Sequence, residues 1–143
     1  MTRATGIDIV ALVDRSGTYS SDDALGMGDF EDTQVFHIAD GAVEVVDELG
    51  EVDTGDPATL ADFVADGLSR FGAERNGLVI WNHGASWPGA AIYETSGGTL
   101  LSLAGIRDAV ADGLDRAGVD KLDLIGFDAC LMATYEVAQN LEP

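Results

Sequence analysis

The sequence predicts an α/β fold with a mainly parallel sheet and an added β-hairpin. Two patterns carry that expectation. In the second half, segments of helical period alternate with short apolar runs in the order helix, strand, helix, strand, which calls for a right-handed crossover and parallel pairing. In the first half, an Asp-Gly pair stands between two β-prone runs, a strong local signal for a tight hairpin.

Taken in order, Ile7 to Val13 is a mostly apolar run that reads as a buried strand. It is short, it contains Asp8, and no small-residue cleavage site follows, so it does not read as a signal peptide. Residues 14 to 33 are rich in Gly, Ser and Asp and are expected to form an exposed loop. Val35, Phe36 and Ile38 precede Asp40-Gly41, and Val43, Val45 and Val46 follow it; both turn residues tolerate positive φ. Asp56-Pro57 opens a helix, with the acid as N-cap and proline at the first helical position. Leu60, Phe63, Val64, Leu68 and Phe71 then share one helical face. Gly77 to Trp81 is a short buried strand ending at Asn82-His83-Gly84. After a loop, Ser102 caps a second helix that buries Leu103, Ile106, Val110 and Leu114. Leu122 to Phe127 is the next strand, ending at Asp128-Ala129-Cys130, and a third helix is expected from about Met132. No internal repeat or low-complexity linker interrupts residues 1–143, so they read as one domain.

Composition limits the functions available. Hydrophobic residues make up 46% of the 143, which excludes a disordered tail. No apolar run approaches the roughly 20 residues of a membrane helix. There are 26 acids against 7 bases, a net charge of −19, and Lys121 is the single lysine. Such a field repels nucleic acid and anionic membranes, so neither is expected as a partner. The acids are interspersed among apolar periodic segments, which points to a folded protein of a high-salt environment. At 1 M salt the Debye length falls to about 3 Å, and the mutual repulsion of surface carboxylates is largely screened.

One cysteine excludes an internal disulfide, and two histidines with one cysteine make a structural zinc site improbable. Cys130 is then either an inert packing residue or a nucleophile. His83 follows one predicted strand and Cys130 follows the next, 47 positions later (130 − 83), room for a loop, a helix and a return strand. Sites in open α/β sheets form at that carboxyl edge. A cysteine just ahead of a helix would gain thiolate character from the positive helix end, and a nearby histidine could take its proton.

These motifs resemble a known family. Trp81-Asn82-His83-Gly84, followed by Ser86-Trp87, is similar to the histidine motif of the clostripain-like (C11) cysteine peptidases, of the caspase-like clan. Gly126-Phe127-Asp128-Ala129-Cys130-Leu131-Met132, with Glu136-Val137-Ala138, resembles their cysteine motif. Gly55-Asp56-Pro57-Ala58-Thr59-Leu60 and Glu94-Thr95-Ser96-Gly97-Gly98 match further stretches in order and spacing. The resemblance implies a caspase-like three-layer sandwich. It makes His83 the general base, Cys130 the nucleophile, and the backbone N–H groups of Gly84 and Cys130 the oxyanion hole. Asp128 would line the pocket for an Arg or Lys side chain of a peptide or protein substrate, a carboxylate being the fitting partner of a guanidinium. The alternative role for Asp128 is a helix-capping acid.

The family pattern has a strand and helix ahead of the segment matching Ile7–Val13, and continues well beyond the cysteine helix. The expectation is therefore a partial, incomplete domain that associates with a flanking segment and has little activity alone. A non-catalytic caspase-like binding module, or an inactive remnant, is the rival reading. A serine esterase is disfavoured, because Gly84-Ala85-Ser86-Trp87-Pro88 lacks the closing glycine of a nucleophile elbow. No cofactor is expected. Asp22, Asp23, Asp29, Glu31 and Asp32 could hold Ca²⁺, an option the family resemblance adds, but lack EF-hand spacing; a solvated loop is favoured. His37, in the hairpin, reads as a surface or packing histidine. Trp81 reads as a cleft wall or as core, and Trp87 as a cleft wall.

Overall fold

The computed structural model describes residues 6–18, 21–93 and 99–142. The chain divides into two compact units, Met1–Val52 and Asp53–Pro143.

In the first unit, β1 (Ile9–Asp14), β2 (Thr33–Ala39) and β3 (Ala42–Gly50) form an antiparallel meander in that order. The Asp-Gly turn is where the sequence puts it: Asp40 has φ 50° and Gly41 φ 83°, the two positive values of a type I′ hairpin, and Ala39 pairs with Ala42. Phe36 is fully buried and Val35 nearly so. Their adjacent burial on one strand is allowed by a register shift between them. Phe30 packs on Phe36 with ring centroids 5.5 Å apart, and the Arg15 guanidinium lies over Phe30 while pairing with Asp29 at 3.1 Å. The loop is thus tied down at its end. Thr33 is the buried polar residue here, and its hydroxyl donates to the Asp14 carboxylate at 2.7 Å. Burial nevertheless raises the Asp14 carboxyl above its ordinary value, with the Thr33 bond opposing.

The second unit carries the α/β architecture. Helix α1 (Pro57–Phe71) begins as expected, with the Asp56 side chain accepting from the Ala58 N–H at 2.9 Å. Helix α2 (Leu103–Ala117) is capped by Ser102, which accepts from Gly105 N–H at 3.0 Å. It closes on Gly118 in the left-handed conformation, φ 68°. Between the helices lie β4 (Gly77–Trp81) and a small antiparallel pair, β5 (Ala90–Tyr93) and β6 (Thr99–Leu101). β7 (Leu124–Asp128) returns from α2 and pairs in parallel with β4, as the alternation of elements requires. The α1–α2 contact is close because Gly113 has no side chain; a Cβ there would stand 2.7 Å from Val64 Cβ. One apolar cluster joins Val64 of α1, Leu78 and Ile80 of β4, Leu101 of β6, Ile106 of α2, and Val137 near the C-terminus.

Two local expectations differ. The segment after Gly84 reads as a loop, yet residues 90–101 contain the β5–β6 pair. Ala90-Ala91-Ile92-Tyr93 is too short for a periodic signal, and tertiary burial of Ala90 and Leu101 decides it. The stretch Glu94 to Gly98 singled out by the resemblance lies outside the described residues. The third helix is α3 (Tyr135–Asn140), starting three residues later than expected behind its N-cap Thr134. Leu131 adopts φ 61°, which no helix can include. Among the described residues no helix is long and apolar enough to cross a membrane.

Candidate active site

β4 and β7 stop together. Trp81 opposes Asp128 as the last register pair, and every pair in the ladder is offset by 47, the separation of His83 and Cys130. Each of those two residues therefore follows its strand by the same two steps, at the same carboxyl edge. The Asn82 N–H extends the ladder by donating to the Asp128 carbonyl at 3.4 Å. His83 and Cys130 are both exposed, and Cys130 is a free thiol.

The histidine segment is held by a tight hairpin. Gly89 N–H donates to Ser86 O at 3.0 Å, Ala85 N–H to Gly89 O at 2.9 Å, and Ala91 N–H to His83 O at 3.0 Å. Gly84 faces Ala90 between the last two of these bonds, a non-hydrogen-bonded pair. Its own N–H is thereby left unused by the hairpin. The base of the hairpin is anchored by Ala90, fully buried. Gly89 takes φ 138° against the Leu101 backbone, where a Cβ would overlap the carbonyl. At the front of the turn, the Asn82 side chain accepts from the His83 N–H at 2.5 Å.

The cysteine segment packs on this hairpin through Gly84. A Cβ on Gly84 would overlap the Cys130 carbonyl oxygen and stand 2.9 Å from Met132 Cγ and 3.1 Å from Ala129 Cβ. Met132 is buried at 4% exposure and pins the turn from below, while the left-handed Leu131 turns the chain between Cys130 and Met132. Among the described residues neither the Gly84 nor the Cys130 N–H has an acceptor. The structure thus brings His83, Gly84 and Cys130 to one edge, with two backbone donors there that have no acceptor among the described residues.

Asp128 ends β7 as an exposed residue. It is not a helix cap, because Thr134 caps α3. One electrostatic expectation is corrected. Cys130 does not lie just before a helix: Leu131 to Thr134 intervene, α3 is only six residues long, and a helix-end field fades within a turn. Trp81 is no core residue, being 78% exposed, and Trp87 at the hairpin tip is 73% exposed. Ser86 takes φ 65° within the hairpin turn, not at a strand-to-helix elbow. Two features escape a linear reading: the contact of Gly84 with the cysteine segment, and Asn82 as the acceptor that fixes the histidine backbone.

His37 sits in β2 of the first unit, 3.6 Å from the Asp8 carboxylate. In the loop, Asp23 accepts from the N–H groups of Gly26 and Gly28. Among the described residues no three His, Cys, Asp or Glu side chains are grouped to hold a metal ion.

An exposed cysteine and histidine on the ends of two parallel strands place this molecule among α/β proteins with a thiol at the sheet edge. The clostripain family model matches residues 1–143, and the chain belongs to that family of cysteine peptidases. It is 29% identical over 162 residues to clostripain of Hathewaya histolytica. That match covers 96% of this chain and 30% of the relative, so the chain spans less than a third of the length of the relative it matches.

Proposed function

We propose that residues 1–143 are part of a peptidase domain that hydrolyses peptide bonds after Arg or Lys, with His83 and Cys130 as its catalytic pair. The observation that carries this is the β4–β7 register, which sets both residues two steps past their strands, with Gly84 packed on the Cys130 carbonyl.

In this mechanism His83 takes the Cys130 proton, and the sulfur bonds to the substrate carbonyl carbon as the C=O electrons move to oxygen. The oxyanion accepts hydrogen bonds from the Gly84 and Cys130 N–H groups. The C–N bond breaks, and His83 returns the proton to the leaving amine. Water, deprotonated by His83, attacks the thioester; the C–S bond breaks, His83 returns the proton to sulfur, and the acid and the free thiol are released. Asp128 faces the edge where the substrate's basic side chain would lie, and supplies the opposing charge. The chemistry requires no metal or cofactor; calcium, if bound, would act on structure.

The experiment is turnover of an Arg-containing fluorogenic peptide by the natural full-length protein, beside Cys130→Ala and His83→Ala. Turnover lost in both variants supports the pair. Activity surviving Cys130→Ala refutes it, and a natural protein that binds but never cleaves the peptide supports a non-catalytic module instead.

A further inference from the structure

Backbone strain is unevenly spread along this chain. Among the described residues, five that are not glycine take positive φ: Leu25, Asp40, Ser86, Ala91 and Leu131. Asp40 belongs to the β2–β3 turn and Leu25 to the loop before β2, both in the first unit. The other three lie in the segments that carry His83 and Cys130. Ser86 is in the turn after His83. Ala91, at the irregularity in β5, donates its N–H to the His83 carbonyl at 3.0 Å. Leu131 follows Cys130 directly, at φ 61°. Asparagine and aspartate offset a left-handed backbone with local hydrogen bonds; leucine crowds its own carbonyl and gains nothing in return.

The path of the chain shows what that conformation does. β7 ends at Asp128, and the chain is back in the core at Met132, which is 4% exposed. Between them the Cys130 carbonyl sits against Gly84, where a Cβ would overlap it. The turn is thus fixed on one side by the core and on the other by the His83 hairpin. Leu131 is the joint between these two anchors. Its side chain is 69% exposed, so packing among the described residues does not hold the joint. A right-handed or extended residue here would swing Met132 out of the core or lift the Cys130 carbonyl off Gly84, and the thiol would move with its backbone.

We infer that Leu131 is a positioning residue for Cys130, acting through its left-handed backbone and not its side chain, an inference that rests on Cys130 being the nucleophile. Strain of this kind persists where the surroundings over-determine it, and it collects at sites of chemistry. Residue types differ in what a left-handed backbone costs them: glycine least, asparagine little, leucine more, and a β-branched residue most. Turnover should follow that order, whereas a side-chain role would follow size and apolarity, which run the other way.

The test is kcat and KM of the natural full-length protein on an Arg-containing fluorogenic peptide for Leu131→Gly, Leu131→Asn and Leu131→Ile. Wild type and Cys130→Ala are run beside them, and thermal melts establish the folded fraction. Leu131→Gly and Leu131→Asn should melt at or above the wild-type temperature and keep its kcat, although neither keeps the apolar side chain. Leu131→Ile keeps the volume, yet should lower kcat by about 10- to 100-fold, with KM changing less. An active Leu131→Ile beside inactive Leu131→Gly and Leu131→Asn would assign the role to the side chain and overturn the inference, as would equal turnover across the series. Should Leu131→Ile fail to fold, the other two decide: turnover kept supports the left-handed joint, and turnover lost overturns it. Turnover that survives Cys130→Ala would remove the nucleophile itself, and the positioning role with it.

Discussion

Gly84→Ala is the sharpest perturbation of the proposed site, because it adds one methyl group and keeps the backbone N–H. The new Cβ would overlap the Cys130 carbonyl oxygen, 2.9 Å from Met132 Cγ and 3.1 Å from Ala129 Cβ. Carbon contacts settle at about 3.5 to 4.0 Å, so one of the two segments must move by on the order of 1 Å. Met132 cannot give way easily, being buried in the core cluster. The cysteine turn is the softer element, since its side chain is exposed. Overpacking of this kind costs about 1 to 3 kcal/mol in stability. A misplacement of about 1 Å between reacting groups costs roughly 100-fold in rate. The expected result is a modest fall in melting temperature with a far larger fall in kcat, KM being less affected. Wild-type turnover in a folded Gly84→Ala protein would refute the claim that this contact sets the pair.

Three further outcomes are expected. Asp128→Asn should lower kcat/KM on Arg peptides by at least about tenfold, as a hydrogen bond to a charged group contributes about 1.5 to 3 kcal/mol; equal loss on neutral peptides would remove Asp128 from the pocket. With 26 acids against 7 bases, thermal stability should rise from dilute to molar KCl, and a flat or falling trend would refute a high-salt adaptation. Asp14 titrates above its ordinary 3.8 in the fold because burial disfavours its charge. Between 3.8 and that raised value the folded state holds more protons than the unfolded one, so this group's contribution to stability falls as pH rises through the window. Asp14→Asn should abolish that dependence and stabilise the first unit at neutral pH in melts across the range; destabilisation there would show that the Thr33 bond outweighs burial.

Legibility followed the range of the interaction. The Asp40-Gly41 turn and the caps at Asp56 and Ser102 were readable, since each depends on one or two residues and the bonds they make to their own neighbours. The start of α3 was not readable, because a left-handed Leu131 contradicts its own propensity and is held by the turn around Cys130 and the buried Met132 beside it. The β5–β6 pair has no local signal for a related reason: its strands are short, and Ala90 and Leu101 lie in strands by virtue of what covers them.

The sequence by itself determined the family, the alternation of helix and strand, and the 47-residue spacing of His83 and Cys130, for these are properties of residue type and order. Only the tertiary structure decided that β4 and β7 pair with that same offset of 47, so that equal steps past each strand arrive at one edge. It alone decided that Gly84 meets the Cys130 carbonyl, and that Trp81 stands in water beside Asp128. Register and close approach are set by how two distant segments share one core, and no local pattern in either segment encodes where the other will lie.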